Sequence, residues 1–368
     1  MRIVIDATPV LVRSAGVKNY LYHWLEHLRR LGGEKTFRAY PFIGRLEQLN
    51  HDASVFSSLP TLARLALLHF ANLPGNPTLD LLLKGADVFH ASNLVRSPPR
   101  RARVTATIYD MTCRIAPELH TRANITADRR FDENVLRKAS GIITISEHTR
   151  CDLLRMVDIA PEKVRTIYPG VPARYFEEEE RRPPARYRLD KPYILYVGTI
   201  EPRKNIETLL DSYEALPEAL KREYDLVVAG PIGWSAKRTR ARLESSAARY
   251  LGYVPEADLP ALTRSASLFV YPSLYEGFGF PVAQAMAASV PVITSAVSSL
   301  PEITGGSAML VDPRSVDELR RAMERVLEDP ALAASLAAKG GERATSFQWE
   351  NCARQSMEFF KDVAGCRN

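Results

Sequence analysis

YPSLYEGFGFPVAQAMA, residues 271–287, is the stretch on which the fold turns. It completes the apolar run SLFVY (267–271), which reads as a buried parallel strand. Glu276, Gly277, Phe278, Gly279 and Phe280 then make a tight glycine loop. Pro281 stands at a first helical position, where its missing N–H is no loss. The helix expected over 282–288 begins with free backbone amides aimed at the loop, and an anion fits there. Glu276 lies on the loop and Gln284, eight positions later, inside the first helical turns, so both can face one ligand. The bare alternative is a strand–loop–helix crossover with a helix cap and no ligand.

Upstream, a second stretch of the same build is YILYV (193–197) followed by GTIEPRKN (198–205). Gly198 and Thr199 open a loop after a strand, and Arg203 and Lys204 stand just before a helix. That order suits a diphosphate, since an arginine forks across two oxygens and a lysine adds a point charge. Two exposed cations on an ordinary helix start are the alternative. Further strands are read at 226–229, leading to Gly230-Pro231, and at 251–254, with a helix after it.

Together with PVITS (291–295), LPE (300–302) and VDP (311–313), these stretches resemble the retaining glycosyltransferases of the large family 4. That family's signature is an acidic residue, GFG, a proline and a second acidic residue eight positions after the first. Here the second acidic position is Gln284. The resemblance covers most of the second half and the first half more loosely. It implies an α/β protein of the GT-B fold, two doubly wound Rossmann-like domains facing across a cleft. It implies that Arg203 and Lys204, with Gly198 and Thr199, grip the diphosphate of a nucleotide-sugar donor. Glu276 would position the sugar beside Gly277, Phe278 and Gly279, Gln284 would hold the ribose, and backbone at Tyr253 and Val254 would bond the base. The family commonly carries a histidine before Asp110, associated with the donor sugar; Tyr109 stands there, able to present a hydroxyl or to pack in the core.

The chain has 368 residues, enough for two domains with sizeable cores, and 46% of them are apolar, as in ordinary globular proteins. The four cysteines are scattered without metal-ligand spacing or a disulfide framework. No apolar run is long enough to span a bilayer and no signal pattern opens the chain, so the expected location is cytoplasmic. Charge is uneven: residues 1–172 hold 24 Lys and Arg against 16 Asp and Glu, while the chain as a whole is only +6. A basic first half suggests anionic partners such as phospholipid or a lipid-linked phosphate, with a merely solvated surface as the alternative. Nucleic acid is not expected, because no nucleic-acid-binding motif is present.

The first half opens with RIVID (2–6), a buried strand, then a turn over 7–15 and a helix from Gly16 with Leu21, Trp24, Leu25 and Leu28 along it. Gly16 lets backbone approach a phosphate, and the resemblance places a phosphate- and acceptor-facing loop here. Residues 59–73 are apolar around most of a helical circumference; a buried core helix is the first reading, and a helix lying on a membrane the second. DVFHASN (87–93) reads as a strand with His90 and Asn93 at its ligand-facing carboxyl edge. Arg96, Arg100, Arg101 and Arg103 follow as an anion rim or a solvated loop. VTATIY (104–109) and GIITI (141–145) are further strands.

The expected domains are 1–172 on the acceptor side, a Pro-rich and acidic linker at 173–192, and 193–346 for the donor. A helix over about 347–363 would return to the first domain, as in the resembled family. The function so implied is retaining, metal-independent transfer of a hexose to a hydroxyl of a saccharide or lipid-linked acceptor. No cofactor is expected, the nucleoside-diphosphate sugar being a substrate. GTIEPRKN resembles mannosyltransferases of surface-polysaccharide assembly, which points first to GDP-mannose, while the basic first half and residues 59–73 suggest a peripheral place on the inner face of a membrane. A non-catalytic nucleotide-sugar-binding protein, or a nucleotide-sugar hydrolase or epimerase, is the alternative on the same scaffold.

Overall fold

The computed structural model describes residues 1–11, 16–41, 58–73, 76–178 and 181–365. These form two compact units, one of residues 1–170 with 349–368 and one of residues 171–348. Of the expected turn at 7–15, Thr8–Leu11 form a short 3-10 helix and residues 12–15 lie outside the described residues.

The first unit holds β1 (Ile3–Asp6), β2 (Phe37–Tyr40), β3 (Val88–Ala91), β4 (Arg103–Ile108), β5 (Gly141–Thr144) and β6 (Val164–Thr166). All pair in parallel, in the order β2-β1-β3-β4-β5-β6. Their unbroken apolar runs follow from burial on both faces, since helical crossovers cover a parallel sheet. The helix Gly16–Thr36 buries Tyr20, Leu21, Trp24, Leu25 and Leu28. It packs along the helix Trp349–Ala364, where Trp24 Nε1 donates to Ser356 Oγ at 2.9 Å.

Two expectations about this unit need correction. His90 is not at an open edge: it is 2% exposed, and its ring nitrogens bond Thr105 and Thr107 hydroxyls at 2.9 Å each. Burial holds its pKa down to about 3, so it is a neutral core residue. The helix Ser58–Ala71 is not a buried core helix either. Only Thr61, Leu68 and Ala71 are buried, while Leu59, Leu62 and Phe70 stand exposed.

The second unit holds β7 (Tyr193–Val197), β8 (Asp225–Ala229), β9 (Arg249–Gly252), β10 (Leu268–Tyr271), β11 (Val292–Ser295) and β12 (Met309–Val311). This sheet is also wholly parallel, in the order β12-β11-β10-β7-β8-β9. Chain order runs outward from β7 to one side and from β10 to the other. Between those two strands the loops diverge, and ligands of open α/β sheets sit in the crevice so formed. Residues 173–178 and 181–192 run on this unit, with Arg174 paired to Glu256 and Arg186 Nη2 donating to Asp258 at 3.0 Å.

Candidate active site

Two loops meet at the β7–β10 switch point. After β7, the turn Pro202–Lys204 leads through Asn205, in the left-handed region at φ 56°, into the helix Ile206–Glu214. Asparagine tolerates that conformation and still bonds outward: Asn205 Nδ2 donates to Pro272 O at 3.0 Å and to Pro313 O at 2.6 Å. The β7 loop is thereby tied to the one after β10, and Leu274 N donates to Arg203 O at 2.9 Å beside it. After β10, Gly279 at φ +92° caps the helix Phe280–Ala287, with Pro281 in its first turn. A Cβ at Gly279 would lie 2.7 Å from Leu300 Cδ2, so both conformation and space call for glycine.

Glu276 is the centre of the arrangement, at 6% exposure. Its Oε1 accepts from Lys204 Nζ at 2.5 Å, Ser273 Oγ at 2.6 Å and Tyr271 OH at 3.0 Å. Its Oε2 accepts from Arg203 Nη1 at 3.2 Å. The backbone is pinned as well: Glu276 N donates to Ser298 Oγ and Glu276 O accepts from Ser299 Oγ, each at 2.9 Å. Burial alone would push the carboxyl up, but the Lys204 and Arg203 charges with the Lys204 and Ser273 hydrogen bonds outweigh it and hold the pKa down at about 2. Lys204 also donates to Tyr271 OH at 2.7 Å, and Arg203 Nη2 to Glu201 Oε1 at 2.9 Å. Burial, then the neighbouring Arg203, pull the Lys204 ammonium below its ordinary value, against the pull of Glu276 and Glu201. Two carboxylates thus balance two cations in a nearly dry crevice, and a diphosphate entering it would compete for the cations.

The other residues singled out in the second half lie on the same edge. Gly277 and Phe278 share the loop with Glu276, and buried Phe278 packs edge-on against Phe280 and Phe347. Gln284 is on the helix Phe280–Ala287, 7% exposed, and its side-chain amide makes no hydrogen bond to a described residue. Gly198 N donates to Ala229 O, and Gly230 N to Gly252 O, so the loops after β7, β8 and β9 run together. Gly230, at φ +144°, approaches so closely that a Cβ there would stand 1.9 Å from Gly198 O. Thr199 lies beside this contact, and half-buried Tyr253 and buried Val254 follow directly after β9.

Gly16, Tyr109 and Asp110 belong to the first unit. Gly16 opens its helix exposed, with no atom within 4 Å of an added Cβ. The Tyr109 ring meets Tyr20 edge-on at 5.3 Å, and burial, then the nearby Asp6, push its hydroxyl pKa far up. Asp110 Oδ1 accepts from Thr112 N at 3.0 Å, closing the turn into the helix Thr112–Ile115. Sequence reasoning missed Glu201, Tyr271 and Ser273. Glu201 carried a signal, as an acid two residues from Arg203; Ser298 and Ser299 carried none.

The family profile described as Glycosyl transferases group 1 matches residues 177–343, and that described as Glycosyltransferase Family 4 matches residues 14–175. The chain is 31% identical to O-antigen chain mannosyltransferase B of Escherichia coli over 98% of its own length and 100% of that protein. It is 32% identical to the serotype-specific mannosyltransferase WbdA of Escherichia coli, covering 63% of this chain and 30% of that larger protein. Among solved structures it is similar to sucrose-phosphate synthase from Thermosynechococcus elongatus, with a TM-score of 0.74 at 21% identity over 100% of both chains. Anabaena HepE in complex with UDP-glucose gives a TM-score of 0.72 at 17% identity, covering 98% of this chain and 99% of that one.

Proposed function

The chain belongs to the family 4 glycosyltransferases, with the two Rossmann-like domains of the GT-B fold, and from that premise we propose that it is a retaining mannosyltransferase. The donor is GDP-mannose and the acceptor a hydroxyl of a saccharide, carried on a lipid, so that the protein works peripherally at a membrane. Full-length similarity to an O-antigen mannosyltransferase supports the sugar.

The observation that carries the chemistry is the Glu276–Lys204–Arg203 cluster at the β7–β10 switch point. Loss of the donor diphosphate leaves negative charge on phosphate oxygens, and preorganised donors lower that barrier. Arg203 and Lys204 exchange their carboxylate partners for the diphosphate, helped by amides at the start of the helix Phe280–Ala287. These charges take the place of a divalent ion. Glu276, freed in part from its cations, accepts from sugar hydroxyls. The Gln284 amide, without a partner among the described residues, pairs with the ribose diol, accepting from one hydroxyl and donating to the other. Gly198, Thr199, Tyr253 and Val254 line the nucleotide side.

Incubation with GDP-mannose and a mannose-terminated oligosaccharide tests this reading. GDP should appear only when the acceptor is present, with a matching gain of one hexose on the acceptor. Equal release of GDP or mannose without acceptor would indicate a hydrolase instead.

A further inference from the structure

Tyr196 on β7 and Tyr271 on β10 stack, with ring centroids 5.6 Å apart and planes 18° apart. Both side chains are wholly buried, yet their hydroxyls differ. Tyr271 OH accepts from Lys204 and donates to Glu276. Tyr196 OH has no hydrogen-bond partner among the described residues. It lies against Gly198, where an added Cβ would stand 2.8 Å from it, at the root of the loop that leads to Arg203 and Lys204. Burial, then the charges of Glu201 and Glu276, push its pKa far up, so the phenol keeps its proton and is available as a donor. A buried hydroxyl without a partner is costly, and phenylalanine would fill the same space without that cost.

The two carboxylates of the neighbouring cluster are unequally served. Glu276 has the Ser273 and Tyr271 hydroxyls as donors besides its two cations. Glu201, 4% exposed, has one side-chain donor among the described residues, Arg203 Nη2 at 2.9 Å. A diphosphate that takes Arg203 therefore leaves Glu276 with two hydroxyls. It leaves Glu201 as a buried charge without a partner, a strongly unfavourable state. We propose that Tyr196 is a positioning residue for donor binding: when the donor diphosphate takes Arg203, the Glu201 carboxylate turns to the Tyr196 hydroxyl and accepts its hydrogen bond. Glu201 aims Arg203 until the diphosphate arrives, and Tyr196 then makes the release of Arg203 less costly. This rests on the reading of Arg203 as a diphosphate ligand and adds to it a residue that touches no substrate atom.

The test is calorimetric titration of GDP and UDP into the full wild-type chain, Tyr196→Phe, Glu201→Gln and the double variant, beside melting temperatures of the free proteins. Tyr196→Phe keeps the stack on Tyr271, so a tyrosine that only packs would leave affinity at the wild-type value. The proposal instead expects nucleoside-diphosphate binding weaker by about tenfold, the size of one hydrogen bond to a charged group. The melting temperature of the free chain should stay the same or rise, because the hydroxyl removed has no partner there. In the Glu201→Gln background the acceptor is neutral, and the same change should weaken binding by only about threefold, half the free energy. Arg203→Ala is the control for the underlying reading: if it binds as the wild type does, or if the wild type binds neither nucleotide, the diphosphate site fails and this inference with it. If Arg203→Ala weakens binding while Tyr196→Phe does not, or if Tyr196→Phe has the same effect in both backgrounds, the inference alone is overturned. A lowered melting temperature with unchanged affinity also overturns it, since the hydroxyl would then be paired, by a water for instance, before the donor arrives.

Discussion

Glu276 takes four side-chain hydrogen bonds, two from cations, while almost wholly removed from water. Its folded pKa of about 2 lies below the ordinary 4.5, so its contribution to stability is complete above pH 4.5 and is lost as pH falls toward 2. Glu276→Gln should flatten the pH dependence of unfolding in that window; urea midpoints measured across it check this, and an unaltered slope would refute it. Removing one partner of a buried pair leaves an uncompensated charge, so Lys204→Ala should cost about 3–5 kcal/mol. Adding Glu276→Gln to it should restore part of the loss, a coupling read directly from a double-mutant cycle. For Gln284 the proposal is a neutral ribose ligand. Gln284→Glu should then shift donor affinity by no more than about tenfold, and Gln284→Ala should weaken it further. A silent Gln284→Ala would remove it from the site.

The strand–loop–helix units after β7 and β10 were legible because each is local: an apolar run, glycines, then a proline or cations before a helix. What those loops do to one another was not. No spacing in the chain announces that Asn205 bonds Pro272 and Pro313, or that Ser298 and Ser299 hold the Glu276 backbone. These contacts depend on β10 lying beside β7, a matter of strand order. The helix Ser58–Ala71 failed for another reason: when most of a helix is apolar, its periodicity does not say which face is covered. His90 was placed at an edge by its position in the strand, yet the Thr105 and Thr107 hydroxyls that satisfy it are on the neighbouring strand. At this scale the crossing of loops at Gly230 is the sensitive point. Gly230→Ala should destabilise by at least about 1–3 kcal/mol through backbone strain, and displace the loop carrying Arg203 and Lys204. Denaturant midpoint and nucleotide affinity should fall together.

Two parallel six-stranded sheets, each with its own core, belong to one glycosyltransferase chain, and the charge-balanced cluster lies wholly within the second unit. Hydrogen exchange on adding GDP should therefore slow around 198–205 and 273–284. With Arg203 and Lys204 supplying the positive charge, transfer should persist in EDTA. Calorimetric titration of GDP and UDP into the wild-type chain, Arg203→Ala and Arg203→Ala/Lys204→Ala tests the donor-diphosphate site most directly. Each lost charge-assisted contact should weaken nucleoside-diphosphate binding by roughly 1.5–3 kcal/mol, more than tenfold in Kd. Equal affinity in all three proteins would contradict a donor site at Arg203, Lys204 and Glu276.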